Sequence, residues 1–192
     1  YTVRVEDGRA VETRQGPACA TVTGYTAEDF AADPSLWIRM ITPEDRAQVQ
    51  DRVHQLLAGT QIAPMEHRIV RKDGETRWVC DTVILNTDAA GTLRSYEGVI
   101  QDITARKRAE EALRAASRYA RTLIETSLDP LVTISAEGTI TDVNTATEKI
   151  TGMSRDRLIG SEFAEYFTDP DRARAGYLRV FAEGQVTDYP LA

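Results

Sequence analysis

Apolar and polar residues alternate where the chain begins, with Val3 and Val5 separated by Arg4. An alternation of period two is typical of a strand that buries one face. Four more strand candidates follow, and turns that contain Gly, at residues 7–8, 72–74 and 88–91, connect candidates that are neighbours in sequence. The five predicted strands cover residues 1–5, 10–13, 64–70, 76–85 and 93–101.

Between the second and the third strand the pattern changes to the spacing of helices. The longest predicted helix begins after Thr42 and ends at Gly59. Its apolar face consists of Val49, Val53, Leu56 and Leu57. The predicted order is two strands, several short helices, one longer helix and three strands. This order predicts an α+β fold, in which helices gather on one face of an antiparallel sheet.

Short motifs recur in the same order in both halves of the chain, about 125–130 residues apart. Val22-Thr23-Gly24-Tyr25 returns as Ile150-Thr151-Gly152-Met153, and Asp45-Arg46-Ala47 returns as Asp171-Arg172-Ala173. These repeats predict two copies of one domain. The predicted divisions are a first domain over 1–103, a linker helix over 104–121 and a second domain over 122–192.

The repeat also predicts how a short helix begins and ends in each copy. Asn144 is the expected N-cap in the second copy, and Thr145 with Glu148 fits a capping box. In the first copy Pro17 is expected at the first helical position. Gly24 and Gly152 fit the C-caps.

The order of several motifs resembles the PAS domain family, whose trailing strands are often called the PAC motif. In the first copy the resembling residues are Thr23-Gly24-Tyr25, residues 42–46, residues 71–74 with Arg77-Trp78-Val79, and residues 98–104. In the second copy they are Gly138, Asp142-Val143-Asn144, Thr151-Gly152 and residues 177–184. The resemblance covers nearly the whole chain. It implies that the second domain is C-terminally truncated or is completed by another chain, since the family would have two more strands after residues 189–192.

The predicted last strand of the first domain runs into a long charged helix over 103–127, with no Gly or Pro at the join. In PAS proteins a motif like Asp102-Ile103-Thr104 ends the last strand and begins a signalling helix, so the resemblance implies that these residues are the signalling junction. Apolar residues on the helix recur with spacings of 4, 3, 4 and 3, at Ala109, Leu113, Ala116, Ala120 and Leu123. This spacing predicts the seam of a homodimeric coiled coil. The alternative, which the spacing favours less, is a single amphipathic helix packed on its own domain.

Composition disfavours several classes of function. The chain has 23 basic and 30 acidic residues, a net charge of −7, so nucleic acid and membrane surfaces are not expected partners. No apolar run approaches the ~18 residues that a membrane span needs. The two cysteines are far apart and fit a reducing compartment, so a cytoplasmic location is expected.

Candidate chemistry is sparse. His54 and His67 show no metal-ligand spacing with Cys19 or Cys80, and no nucleophile elbow or phosphate-binding loop occurs. We therefore predict no catalytic residue and no metal site.

Two branches of the PAS family that bind cofactors can be tested by residue. The flavin-binding LOV branch needs a cysteine between the short helices, where residues 35–40 contain none, and a glutamine where this chain has Ile100. Haem-binding members use a histidine early in the longer helix, near Gln48 here, and His54 is about two turns too late. Neither cofactor is expected, and the ligand stays unknown.

PAS pockets lie between the sheet and the helices, and the candidate lining residues are Trp37, His67, Trp78 and Cys80. Trp78 and Cys80 share one strand face. The alternative is that the two tryptophans simply fill the core.

These features together predict a non-catalytic sensory and dimerisation region of a cytoplasmic signal-transduction protein. The expected partner is a C-terminal output domain of the same chain, such as the histidine kinase of a two-component system. The alternatives are a ligand-free dimerisation scaffold and the regulatory part of a cyclase or a phosphatase.

Overall fold

In the computed structural model the chain divides into two units, Tyr1–Ala112 and Leu113–Ala192. The structure describes residues 1–187 and 189–190.

The first unit is built on an antiparallel sheet of five strands in the order β2-β1-β5-β4-β3. The strands are β1 (Thr2–Glu6), β2 (Arg9–Arg14), β3 (Met65–Val70), β4 (Thr76–Thr87) and β5 (Leu93–Asp102). All five strand predictions are confirmed, with ends that differ by one or two residues. The α+β architecture predicted for this unit is also confirmed.

Four helices separate β2 from β3 in sequence. They are α1 (Cys19–Thr23), α2 (Ala27–Ala32), α3 (Leu36–Arg39) and α4 (Pro43–Leu57). Pro43 is at the first turn of α4, where its missing N–H breaks no helical hydrogen bond. Val49 and Leu56 of α4 are buried, and they pack in two apolar clusters against the inner face of the sheet, which includes Val83 and Ile69.

The start of α1 differs from the prediction. Pro17 precedes the helix, which begins at Cys19 with Ala18 as its N-cap residue. The predicted C-cap is correct, because Gly24 has the left-handed φ of 77° that a residue without a Cβ adopts easily.

The second unit begins within a long helix, α5 (Thr104–Thr126), whose bounds lie within a residue of the predicted range 103–127. A hairpin follows, formed by β6 (Val132–Ile134) and β7 (Ile140–Val143). The remaining elements are α6 (Thr145–Thr151), α7 (Arg155–Leu158), a 3₁₀ turn at Phe163–Tyr166 and α8 (Pro170–Glu183). Within the described residues this unit has two strands, where the first unit has five.

Asn144 is the N-cap of α6, as predicted, and its side chain accepts a hydrogen bond from the backbone N–H of Thr147. The capping box predicted for Thr145 and Glu148 is wrong. The backbone N–H and hydroxyl of Thr145 both donate to Glu125, while Glu148 accepts from the backbone N–H of Arg155.

None of the helices in the described part of the chain is long and apolar enough to cross a membrane.

Candidate functional site

A cavity of about 360 Å³ lies between the sheet and the helices of the first unit. This volume is near the lower end of the range for small-molecule sites, roughly 300–1,000 Å³. Most of its wall is apolar, with side chains from β1, α1, α2, α4 and β5, including Val3, Val22, Phe30, Val49 and Ile100.

Polar side chains also line the cavity, and three of them, Tyr1, His67 and Asp81, lie on the sheet side. The hydroxyl of Tyr1 donates to Oδ2 of Asp81 over 2.8 Å. The other carboxyl oxygen, Oδ1 of Asp81, is buried and has no hydrogen-bond partner within the described residues. The same is true of Nδ1 of His67, whose residue is only 5% exposed. Two side chains that line the cavity therefore each carry a buried polar atom with no hydrogen-bond partner among the described residues.

Burial determines how these groups titrate. It raises the pKa of Asp81, although the hydrogen bond from Tyr1 and the charge of Arg52 oppose that rise. Burial lowers the pKa of His67, with the charge of Asp45 and the backbone of Met65 acting in the other direction. Burial, together with the nearby Asp81, raises the pKa of Tyr96 to about 12. At neutral pH the cavity thus holds a neutral imidazole and neutral phenols around one carboxyl group.

The structure brings two of the four predicted pocket residues to the cavity. His67 and Trp37 line it, and Trp37 is partly exposed at 37%. Trp78 and Cys80 lie on the opposite face of β4, because Val79, Asp81 and Val83 point to the helices. This placement corrects the choice of Trp78 and Cys80.

Sequence reasoning missed Asp81, although a signal was present. Alternate residues Val79, Asp81 and Val83 share the buried face of β4, and a carboxylate between two core valines is unusual there. The two histidines also separate clearly: His67 lines the cavity, while His54 is exposed on α4.

Trp78 has a different place: it lies on β4, beside the point where β5 passes into α5. Its ring lies 4.9 Å from Nζ of Lys107 and 5.5 Å from the guanidinium of Arg68, within the range of cation–π attraction. Its backbone N–H donates to the hydroxyl of Thr104, and its carbonyl accepts from the backbone N–H of Ile103.

Asp102 completes this junction. Its side chain accepts from the backbone N–H of Thr104 over 2.9 Å and from Arg77 over 2.8 Å. Ile103 and Thr104 are both buried. The predicted junction residues Asp102, Ile103 and Thr104 therefore form a hydrogen-bonded join with no flexible residue in it.

Ion pairs hold the first turns of α5 to β3. Arg106 and Lys107 each approach a carboxyl oxygen of Glu66 to 2.6 Å. Glu66 and Arg68 flank His67 on β3, on the face away from the cavity. The strand that presents His67 to the cavity thus carries the contacts to α5 on its other face.

A second polar cluster holds the last turns of α5 within the second unit. Nη2 of Arg155 lies 2.8 Å from Glu125 and 3.0 Å from Asp142, and Arg121 pairs with the same two carboxylates. Glu125 also accepts both hydrogen bonds from Thr145 at the start of α6. The C-terminal end of α5 is therefore fixed to the hairpin and to α6.

The middle of α5 is exposed to solvent. Every residue from 111 to 120 is exposed, and so are the predicted seam residues Ala109 and Leu123. Leu113 is 73% exposed, and Tyr119, which the sequence analysis did not include, is 67% exposed. Nothing within the described chain covers the apolar positions of the predicted seam, Ala109, Leu113, Ala116, Ala120 and Leu123.

Comparison with known proteins gives a consistent assignment. Two family models match, each described as the PAS fold, over residues 13–100 and 118–186. The sensor protein FixL of Bradyrhizobium diazoefficiens is 27% identical over 147 residues, which is 77% of this chain and 29% of that protein. The blue-light-activated histidine kinase of Brucella ovis is 32% identical over 103 residues, which is 52% of this chain and 19% of that protein. The chain thus spans less than a third of the length of either relative.

Among solved structures, a sensory box histidine kinase/response regulator from Burkholderia thailandensis is 27% identical. The match covers 57% of this chain and 81% of that one, with a TM-score of 0.46.

Proposed function

The chain belongs to the PAS family, and we propose that its tandem PAS domains are a sensory and dimerisation region that signals through α5 to an output domain of the same protein. The anchorage of α5 at both ends supports this most directly. Lys107 and Thr104 hold its first turns in the first unit, and Glu125 holds its last turn in the second.

The proposed signal begins at the cavity, where a ligand binds. A ligand that displaces His67 also displaces Glu66 and Arg68, because these residues are adjacent on β3. Their partners on α5 and β4, Lys107 and Trp78, then move with the strand. A Gly or Pro at residues 102–104 would absorb such a shift, whereas the hydrogen-bonded join transmits it.

The proposed output is a histidine kinase of a two-component system. Support comes from the relatives, whose names include a sensor protein and a histidine kinase. The region itself acts by binding and by conformational change, with no catalytic role. Its two free cysteines fit the reducing conditions of the cytoplasm.

The proposed partner is a second copy of the chain, which would cover the seam of α5 as a coiled coil. The exposed spacing of Leu113, Ala116, Ala120 and Leu123 supports this arrangement, since exposed apolar positions of period 3.5 match a helix of the same kind. The exposure of residues 111–120 disfavours the alternative of a helix packed on its own domain.

Disulfide crosslinking tests the dimer. In a background with Cys19→Ser and Cys80→Ser, we expect the single variants Leu113→Cys, Ala116→Cys and Ala120→Cys to crosslink between chains under mild oxidation. The matched controls Glu111→Cys and Arg118→Cys lie on the opposite side of the helix and should crosslink poorly. Equal crosslinking all around the helix would contradict the proposal.

Insertions test whether α5 carries the signal, in a full-length protein with its output domain. One residue inserted after Ala115 turns everything downstream by about 100° and should lock or scramble the output. Seven inserted residues restore the seam to within about 20° and should restore regulation. If the output activity is the same after one and after seven inserted residues, α5 is only a passive spacer and the proposal is wrong.

A further inference from the structure

Asp81 and His67 face the same cavity from neighbouring strands. Asp81 is paired with Met65 across β3 and β4, and His67 lies two residues beyond Met65. This diagonal placement on one sheet face puts the two Cα atoms about 7–8 Å apart. A single small molecule can therefore reach both side chains.

The carboxyl group of Asp81 is only partly satisfied. Oδ2 accepts from Tyr1, and the buried Oδ1 has no hydrogen-bond partner among the described residues. The charge of Arg52 acts on Asp81, but no ion pair with Asp81 occurs among the described residues, and Arg52 donates instead to the carbonyl of Ala63. A buried carboxylate with an open oxygen is costly unless a donor or a cation reaches it.

We propose that the cavity binds a small molecule with an apolar body and one protonated amine, which donates to Oδ1 of Asp81 and to Nδ1 of His67. The proposal deepens the sensory function above and rests on it. An ammonium group has three donors and no acceptor, so it fits the unpaired Oδ1 of Asp81 together with Nδ1 of a neutral His67 that carries its proton on Nε2. A carboxylate ligand would instead bring a second acidic group to Asp81 and offers no donor, and an alcohol has only one donor.

The apolar wall of the cavity favours an apolar body for the part of the ligand beyond the amine. The apolar lining offers no polar partner at Val3, Val22, Phe30, Val49 and Ile100. The cavity volume of about 360 Å³ limits the ligand to a compact body. A primary amine attached to one aromatic ring meets both requirements.

Three probes with the same aromatic body test the class of ligand: phenethylamine, 2-phenylethanol and phenylacetate. Binding to the whole chain at pH 7 is measured by titration in protein-observed NMR. We expect phenethylamine to bind at least tenfold more tightly than 2-phenylethanol, and phenylacetate to bind most weakly. Shifts should concentrate at β3 and β4 near Asp81 and His67.

The variant Asp81→Asn keeps the shape of the side chain and its acceptor for Tyr1 but removes the charge. It should weaken phenethylamine at least tenfold and leave 2-phenylethanol nearly unchanged. The matched control Glu97→Gln removes a carboxylate from the solvent face of β5 and should change neither affinity.

Equal affinity for the three probes, or no binding of phenethylamine, would overturn the proposal even if Asp81→Asn failed to fold. An unchanged affinity in folded Asp81→Asn would overturn it too. The crosslinking and insertion experiments need no ligand. If they succeed while the probes fail, only the ligand class is wrong.

Discussion

Asp45 and Arg68 form the most complete ion pair in the first unit. Nε and Nη2 of Arg68 approach the two carboxyl oxygens of Asp45 to 2.9 and 2.6 Å, and the backbone N–H of Arg68 donates over 2.8 Å. The hydrogen bonds from Arg68 hold the pKa of Asp45 at about 2, although burial acts against them. The pair joins the first turn of α4 to β3, next to His67.

This pair predicts an acid-sensitive contribution to stability. The pKa of Asp45 is about 2 when folded and ~3.9 when unfolded, so the contribution is complete only above about pH 5 and is lost as the pH falls through 2. Asp45→Asn should lower the free energy of unfolding by about 2 kcal/mol at pH 7, and by much less at pH 2. Urea unfolding at both pH values measures this.

The control is Glu44→Gln, one residue earlier in the same helical turn. The side chain of Glu44 is 68% exposed and lies 3.9 Å from Arg68, so its loss should cost little. Equal losses for the two variants would mean that the helix terminus, and not the pair, provides the stability.

At the scale of elements, α5 depends on the polar cluster around Arg155. Arg155 reaches two carboxylates that would otherwise share only Arg121. Replacing it leaves the partly buried Glu125 and Asp142 with Arg121 as the one basic partner they share among the described residues. The contacts of Glu125 to the start of α6 then weaken as well, because the carboxylate is less well held.

We therefore expect Arg155→Met to destabilise the second unit by about 1–2 kcal/mol, since hydrogen bonds to charged groups are lost from a partly exposed site. Amide hydrogen exchange should accelerate at residues 121–126 and at Thr145. Arg157→Met, an exposed neighbour on α7, is the control and should change neither. Unaltered exchange in Arg155→Met would show that packing alone fixes this end of α5.

Local patterns predicted the elements well where one physical rule dominated. Alternation predicted the first strand of the first sheet, turn residues such as Gly8 and Gly74 marked the ends of others, and Gly24 marked a helix end. The capping of Thr145 was missed because its partner, Glu125, is 20 residues away in sequence. The face of Trp78 was misassigned because Trp78, Val79 and Cys80 are consecutive and apolar enough for either face to be the buried one.

At the scale of the molecule, the two units differ in how their sheets are supported. The first unit has five paired strands, whereas the described part of the second has a two-stranded hairpin with short strands. Isolated two-stranded hairpins are marginal, and unpaired strand edges exchange readily with solvent.

Hydrogen exchange should therefore show slow amides in β4 and β5 and faster ones in β6 and β7. Both sets are measured in the same sample, so each is the internal reference for the other. Equal protection in a monomer would mean that α6, α7 and α8 support the hairpin as fully as the additional strands support the first sheet.

The separate places of the two tryptophans give the protein two optical reporters. Trp37 lies at the cavity and Trp78 lies between Arg68 and Lys107 at the start of α5, and the chain contains no other tryptophan. Indole emission depends on the polarity and charge around the ring. In Trp78→Phe the emission reports only on the cavity, and in Trp37→Phe only on the junction. The delay between the two signals after rapid mixing with a ligand would time the passage of a stimulus from the wall of the cavity to the helix.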